Sequence, residues 1–124
     1  MNVVDSCGWL EYFADGQNAD FFAPSIEDTA SLIVPAISLF EVFKRILQQR
    51  TENDALRAVA LMQQGRVVVL DDALALSAAK LSIDLKLPMA NSLILATARA
   101  HAAVSWTQDE DFSGIQGVQL ILKR

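Results

Sequence analysis

The stretch LIVPAISLFEVF (residues 32–43) decides the fold, because it joins a strand pattern to a helix pattern. Leu32-Ile33-Val34 is a short β-branched run typical of a strand. The apolar residues that follow, beginning with Leu39, Val42 and Phe43, recur at helical spacing. Glu41 lies in the opening of this helical segment, just beyond the strand. A strand followed by a helix is the repeating unit of a parallel α/β sheet.

The same alternation continues along the whole chain of 124 residues. It predicts strands near residues 2–5, 32–36, 67–70, 103–107 and 118–122, with two helices between each of the first strand pairs. The run 67–70 is continuously apolar, as expected for a strand covered on both faces. No repeat and no Pro/Gly-rich linker interrupts the pattern. We therefore predict a single α/β domain over residues 1–124.

Acidic residues follow several of the predicted strands. Asp5 ends the first apolar run, Glu41 follows the second strand, and Asp109 and Asp111 follow the strand that ends at Thr107. The carboxyl ends of strands in an α/β sheet meet at one crevice, where such folds place their sites. Carboxylates that converge with no basic residue among them repel strongly, and a divalent cation is the usual resolution.

Each acid also has a purely structural interpretation. Asp5 can cap a helix, and Asp109 can cap the segment that starts at Glu110. Ser38 and Glu41 have the spacing of a capping box, with Ser38 as the N-cap. Taken singly, these interpretations suffice. Three acids after three different strands, all on the side where a parallel sheet builds its site, favour a common functional site.

Composition narrows the class of protein. The chain has 52% hydrophobic residues, a net charge of −5 and the single cysteine Cys7, so no internal disulfide is possible. No apolar run reaches the roughly 20 residues of a membrane helix, and no leader pattern opens the chain, so we expect a cytoplasmic protein without membrane contact. The charge argues against binding nucleic acid through a bulk positive field but leaves a nuclease possible. Lys44, Arg45 and Arg50 are the best candidates for a local basic strip, although a solvated helix position is favoured for each of them taken singly.

Four segments in order give the chain a family resemblance: residues 3–6, 38–42, 87–98 and 106–112. With these motifs the sequence resembles PIN-domain proteins, and more closely the VapC-type toxin ribonucleases of bacterial toxin–antitoxin pairs. The resemblance covers essentially the whole chain. It implies a PIN-like α/β fold with a five-stranded parallel sheet, ordered 3-2-1-4-5, flanked by helices. It also implies a group of acids around Mg²⁺ or Mn²⁺.

The resemblance also assigns roles to individual residues. Asp5, Glu41 and Asp109 match the metal-site acids of the family. Asp111 is a second, weaker candidate at the fourth motif. Thr107 matches a residue expected to orient a metal-bound water. Bound ions of this kind lower the pKa of a water, which then attacks the scissile phosphate in line.

Asn91 is the one departure from the family pattern, which has Asp at this position of the third motif. The two side chains are nearly isosteric, but Asn offers a neutral oxygen, a weaker ligand for a hard cation, and removes one negative charge. The predicted catalytic and metal-binding set is therefore Asp5, Glu41, Asn91 and Asp109. Two explanations stay open: a variant inactivated so that a toxic nuclease could be produced, or a natural PIN protein with weak or lost activity. The otherwise intact motif favours the first.

The resemblance implies a metal-dependent endoribonuclease with an RNA substrate, weakened by Asn91. It also implies a cognate antitoxin whose tail crosses the active-site groove, and a homodimer. The segments 21–30 and 39–64 are expected to supply part of that groove. The alternative is an inactive PIN domain that acts by binding a protein or RNA. A response-regulator receiver is disfavoured, because Asp5 stands alone at the first strand and Asp71 is the only candidate phosphoacceptor.

Overall fold

A computed structural model describes residues 1–124 and confirms an α/β fold with one five-stranded parallel sheet in the order β3-β2-β1-β4-β5. The strands are β1 (Asn2–Val4), β2 (Leu32–Pro35), β3 (Arg66–Val68), β4 (Val104–Thr107) and β5 (Val118–Leu120). The helices are α1 (Ser6–Phe13), α2 (Ala19–Glu27), α3 (Ala36–Gln49), α4 (Glu52–Met62), α5 (Asp72–Leu85) and α6 (Met89–Ala100). None of these helices has the length and apolar character needed to cross a membrane.

The central strand β1 pairs with β2 on one side and β4 on the other. Val3 is in register with Ile33 of β2 and with Ser105 of β4. All four strand pairs are parallel, so the carboxyl ends of the strands share one edge of the sheet. Two α-helices lie between each successive pair from β1 to β4, as the sequence predicts for the first pairs. The residues that follow β1, β2 and β4 therefore emerge on the same side.

Alternation along the strands divides the core between the two faces of the sheet. Val4 contributes to a cluster with Trp9 and Phe22, which packs α1 and α2 against one face. Val3 contributes to a cluster with Ile94 of α6 on the opposite face. Complete burial of such side chains is worth about 1.5–3 kcal/mol each. This packing fixes the end of β1, and with it the position of the next residue, Asp5.

The prediction that residues 67–70 form a strand covered on both faces is partly wrong. Strand β3 ends at Val68, and Val69 and Leu70 are 68% and 50% exposed. β3 pairs only with β2 and is an edge strand, so fewer neighbours cover it. The chain then turns toward Asp71, whose carboxylate accepts the Leu74 N–H at 2.8 Å and caps α5.

The capping box predicted at Ser38 and Glu41 is wrong. Helix α3 begins at Ala36, with Pro35 in the N-cap position and an extended backbone. Proline suits this boundary because it has no N–H to leave unpaired and a fixed φ. Ser38 lies inside the first turn, where its buried hydroxyl has no hydrogen-bond partner. Glu41 is thereby free of a capping role.

Candidate active site

Four predicted site residues, Asp5, Glu41, Asn91 and Asp109, line one cleft of about 280 Å³ at the carboxyl edge of the sheet. We call it the acid cleft. They come from the ends of β1 and β4 and from the helices α3 and α6, which are distant in sequence. The parallel sheet brings them together because it places these element ends on one side. The remaining residues of its lining are Ser6, Cys7, Leu10 and Arg45.

Asp5 forms the floor of the acid cleft and caps α1. Its Oδ1 accepts the Ser6 N–H at 2.8 Å, and its Oδ2 accepts the Thr107 hydroxyl at 2.7 Å. The side chain is buried, and this burial raises the pKa of Asp5; hydrogen bonds from Thr107 and Cys7 lower it, and the charge of Asp109 raises it. The site therefore contains a buried carboxyl group whose ionised form is disfavoured. Any cation close to it would favour ionisation.

Glu41 is half-buried on α3, and its Oε1 accepts the Ser6 hydroxyl at 2.7 Å. Burial raises the pKa of Glu41, and the charge of Asp5 adds to the effect. Ser6 therefore links two acids, since its N–H binds Asp5 and its hydroxyl binds Glu41. The role of Ser6 was not predicted from the sequence. Its position directly after the helix-capping acid was the available signal.

Asp109 caps the short 3₁₀ turn Glu110–Phe112, and its two oxygens have different partners. Oδ1 accepts the Asp111 N–H at 2.9 Å. Oδ2 accepts a hydrogen bond from the Asn91 side-chain amide, Nδ2, at 3.2 Å. Asn91 lies in the first turn of α6, as predicted. The amide thus satisfies an oxygen of Asp109 that an aspartate at position 91 would repel.

Thr107 and Asp111 are placed differently from the four cleft residues. The buried Thr107 hydroxyl donates to Asp5 and accepts the Asp109 N–H at 3.0 Å. The hydroxyl thus bonds Asp5 and the backbone of Asp109 at once and fixes the two acids relative to each other. These contacts favour a positioning role for Thr107 over the predicted role of orienting a water. Asp111 is exposed and is not part of the cleft lining; its backbone, not its carboxylate, contacts Asp109.

Cys7 lies beside Asp5 at the edge of the acid cleft, with its Sγ donating to Asp5 Oδ2 at 3.1 Å. Burial, followed by the charge of Asp5, raises the pKa of the Cys7 thiol to about 12. The reactive species of cysteine is the thiolate. Cys7 is therefore a neutral hydrogen-bond donor at neutral pH and not a nucleophile.

A larger cavity of about 490 Å³ adjoins the acid cleft. Cys7, Leu10 and Arg45 line both cavities. The larger one runs between α1, α3 and α4, and we call it the basic groove because four cations line it: Arg45, Arg50, Arg57 and Lys123. Lys44, predicted as part of a basic strip, instead lies over the Phe40 ring at 5.6 Å from its centre.

Arg45 corrects the expectation that no basic residue stands among the acids. It lines the acid cleft because it follows Glu41 by one helical turn on α3. Residues at i and i+4 of a helix share a face. The spacing of Glu41 and Arg45 in the sequence was sufficient to predict this placement. Arg57 and Lys123 had no such signal, since the fold brings them in from α4 and the carboxyl terminus.

The chemistry of the acid cleft fits a hard divalent cation, although no three His, Cys, Asp or Glu side chains stand close enough to form a ready-made metal site. Glu41 accepts the Ser6 hydroxyl, and the neutral Asn91 amide donates to Asp109. Mg²⁺ is usually bound through one or two carboxylates, with waters completing its octahedron. Asp5 and Asp109 meet that requirement, and the charge of Asp109 raises the pKa of Asp5.

A five-stranded parallel sheet with this strand order and acids at its carboxyl edge defines a class of α/β domain. The chain belongs to the PIN domain family, whose model matches residues 3–118. No match is found among curated proteins.

Solved structures share the fold at low sequence identity. A toxin–antitoxin complex from Klebsiella pneumoniae matches with a TM-score of 0.82 and 21% identity, covering 96% of this chain and 96% of that chain. The Mycobacterium tuberculosis toxin VapC20, described as cleaving the sarcin–ricin loop, matches with a TM-score of 0.77 and 15% identity over 94% and 95%. VapBC2 from Rickettsia felis, bound to a promoter DNA fragment, matches with a TM-score of 0.73 and 11% identity over 98% and 97%.

Proposed function

We propose that this chain, as a single PIN domain over residues 1–124, is a VapC-type toxin: a metal-dependent endoribonuclease of a toxin–antitoxin pair, weakened by Asn91. The observation that carries the proposal is the convergence of Asp5, Glu41 and Asp109 on one cleft with an amide at the fourth position. Membership of the PIN family and the likeness to structures described as toxins support it.

Asp5 and Asp109 would hold Mg²⁺ or Mn²⁺, with Glu41 and the Asn91 side-chain oxygen as further ligands, directly or through water. Such an ion, when bound, supplies activation of a water and stabilisation of the charge that develops on the scissile phosphate. Asp5 is well suited to this role because two side-chain donors and one backbone N–H fix its carboxylate. Ser6 and Thr107 act as positioning residues for the acids.

Asn91 weakens the site in two ways. Its oxygen is neutral and is a poorer ligand for a hard cation than a carboxylate. Its amide N–H also donates to Asp109 Oδ2, so it occupies an acceptor that a cation would use. This hydrogen bond uses one acceptor site of that oxygen and therefore competes with a cation for it. Both effects lower metal affinity without changing the fold.

The test is the exchange Asn91→Asp, assayed on a structured RNA with Mg²⁺. We expect higher metal affinity and faster cleavage, because the exchange restores an anionic ligand. Asp84→Asn is the matched control: it makes the reverse exchange on the exposed surface of α5 and should leave the rate unchanged. Equal metal affinity of the parent chain and Asn91→Asp, with equal cleavage at subsaturating Mg²⁺, would contradict the assigned role of position 91.

A cognate antitoxin is the proposed partner. The acid cleft favours a tail that carries Arg or Lys. Of the segments expected to form its groove, helices α3 and α4 line the basic groove together with α1, whereas residues 21–30 do not. Hydrogen exchange of α1, α3 and α4 should slow when the antitoxin is added, and the proposal fails if none of these helices is protected.

A homodimer is proposed for the same chain. The inner side of α5 is buried through Leu74 and Ala78. On its outer side, Leu76 and Ile83 are 74% and 80% exposed. Exposed apolar surface of this kind is typical of an interface. Leu76→Glu should shift the chain to monomer in light scattering, and Asp84→Asn serves as the control.

The alternative is an inactive PIN domain that acts by binding RNA or protein. The hydrogen bond from Asn91 to Asp109 favours it, because the site is satisfied without a cation. A Mn²⁺ titration followed by paramagnetic broadening separates the two functions. Broadening centred on Asp5 and Asp109 at sub-millimolar Mn²⁺ supports the nuclease, and its absence supports the binding module.

A further inference from the structure

The basic groove and the acid cleft meet at Arg45, and this junction carries a proposal about how substrate lies on the protein. Arg45 lines both cavities and is the only cation among the residues that line the acid cleft. Arg45 is also exposed, so a ligand in either cavity can reach it.

Gln49 lies one helical turn after Arg45, with its side-chain amide within hydrogen-bond distance of the guanidinium. With the Gln49 amide oxygen turned toward the guanidinium, that oxygen accepts hydrogen bonds from Nε at 3.2 Å and from Nη2 at 3.1 Å. Gln49 is neutral, so this contact orients the guanidinium without neutralising its charge. The remaining N–H groups of an arginine fork match the geometry of a phosphate. Arg45 therefore has the properties of a pre-oriented phosphate-binding residue.

The charge of the basic groove differs in sign from that of the whole chain. Four cations and two acids, Glu11 and Asp54, line it, which gives a local net charge of +2 in a chain whose net charge is −5. The Glu11 carboxylate is already engaged, since it accepts the Asn18 N–H at 2.9 Å. Concentrating positive charge in a groove of an acidic protein attracts a polyanion to that groove.

We propose that single-stranded RNA extends from the acid cleft into the basic groove, with Arg45 holding the phosphate next to the scissile one. Arg57 and Lys123 then track the following phosphates, as cationic grooves do for single strands. This proposal rests on the proposed nuclease function and adds the path of the substrate. Only one end of the path carries the proposed ligands for a cation, so cleavage is expected at that end.

Binding is measured on the parent chain by fluorescence anisotropy, using a labelled single-stranded RNA of about 12 nucleotides and about 2 mM MgCl₂. The KCl concentration is varied from roughly 50 to 200 mM, which gives the salt dependence of the affinity. Removing one phosphate contact should reduce the slope of log affinity against log salt by about 0.7. We expect this from Arg45→Ala, together with an affinity loss of roughly 3- to 10-fold at 100 mM salt, and a similar loss from Arg57→Ala.

Two further variants make the test specific. Arg45→Lys keeps the charge but not the fork, so it should retain the salt slope and lose part of the affinity. Gln49→Glu places a carboxylate on the guanidinium and should weaken binding about as much as Arg45→Ala, since it competes with the phosphate. The control is Lys80→Ala, which removes an exposed cation from α5, away from both cavities, and should leave affinity and slope unchanged.

The proposal is overturned if Arg45→Ala and Arg57→Ala bind the RNA like Lys80→Ala. It is equally overturned if these variants weaken only the antitoxin complex, because the groove would then be a protein-docking surface. Failure of the proposed function has a different signature. In that case Asn91→Asp does not cleave RNA with Mg²⁺, while the binding variants still separate from Lys80→Ala.

Discussion

The substitution Asn91→Asp should make the metal-free protein less stable. It replaces the hydrogen bond between Asn91 and Asp109 with two facing carboxylates. Nδ2 of Asn91 lies 3.2 Å from Oδ2 of Asp109, and the exchange Asn91→Asp puts a second anionic oxygen in nearly the same place. Two unit charges about 4 Å apart repel by about 4 kcal/mol at an effective dielectric constant of 20. Both side chains are partly exposed, so solvent and small rotations reduce this term to about 2 kcal/mol.

The lost hydrogen bond adds to the repulsion. A hydrogen bond to a charged group contributes about 1.5–3 kcal/mol, of which solvation of the freed groups returns a part. We therefore expect the free energy of unfolding of Asn91→Asp to be about 3 kcal/mol lower than that of the parent, at pH 8 in EDTA. For a domain of this size that is a fall in Tm of about 10 °C.

The assay is thermal unfolding followed by circular dichroism, in EDTA and in Mn²⁺. Mn²⁺ at one hundred times its Kd for Asn91→Asp should raise the free energy of unfolding of that variant by about 2.7 kcal/mol. The same Mn²⁺ concentration should raise the free energy of unfolding of the parent much less. Asn91→Ala is the control, since it deletes the hydrogen bond without adding charge, and Mn²⁺ should stabilise it less than Asn91→Asp because it lacks the added anionic ligand. Equal Tm values for Asn91→Asp and the parent in EDTA would refute the reasoning.

Three further outcomes follow from the structure. Gly8→Ala should destabilise the fold by about 1–3 kcal/mol in urea unfolding, because a Cβ at Gly8 would lie 2.6 Å from the Phe22 ring and 2.7 Å from Val4; a Gly114→Ala control would meet no neighbouring atom, so a loss there would reflect only its positive φ. The pKa values of Asp5 and Glu41 are raised, so the folded state retains protons that the unfolded state has lost. The free energy of unfolding of the metal-free protein should therefore fall as the pH rises from the ordinary pKa values of these groups, 3.8 and 4.5, through the raised ones. Urea titrations measure this dependence, and Asp5→Asn should flatten it. Alkylation of Cys7 at pH 7.5 should be roughly a thousandfold slower than that of an ordinary thiol, because the pKa of Cys7 is about 12 and that of an ordinary thiol is 9.0. Labelling followed by mass spectrometry measures this rate. Rapid labelling of the folded protein would contradict the assigned protonation state.

The elements of the fold that the sequence predicts well are those set by local patterns. β-branched runs mark all five strands within a few residues, and helical spacing marks the segments between them. Their order in the sheet came from the family resemblance, and the structure confirms it. The convergence of Asp5, Glu41 and Asp109 was predictable because parallel strands share one carboxyl edge.

The errors arise where tertiary packing overrides a local signal. Ser38 has the spacing of an N-cap, but Pro35 begins the helix earlier and Ser38 becomes buried. Val69 and Leu70 continue an apolar run, yet they leave the sheet at its edge and are exposed. A residue's neighbours in sequence do not reveal which strand lies at an edge.

The basic groove could not be predicted from the sequence as a whole. Its cations come from α3, α4 and the carboxyl terminus, and only the packing of α4 and the last residues against α1 and α3 assembles them. The overall charge of −5 points away from such a surface. Arg45 is the exception, since its helical spacing from Glu41 links it to the acids.

The first turn of α6 also protects the chemical identity of Asn91. Asparagine side chains lose ammonia when the next backbone nitrogen attacks the side-chain carbonyl carbon to form a cyclic imide. Here that nitrogen belongs to Ser92, and its N–H donates to the Pro88 carbonyl at 3.0 Å within the helix. The helical backbone keeps the nitrogen from the ring-closing position. Stored protein should therefore retain its amide, and spontaneous conversion to the acid form would not create nuclease activity as a sample ages.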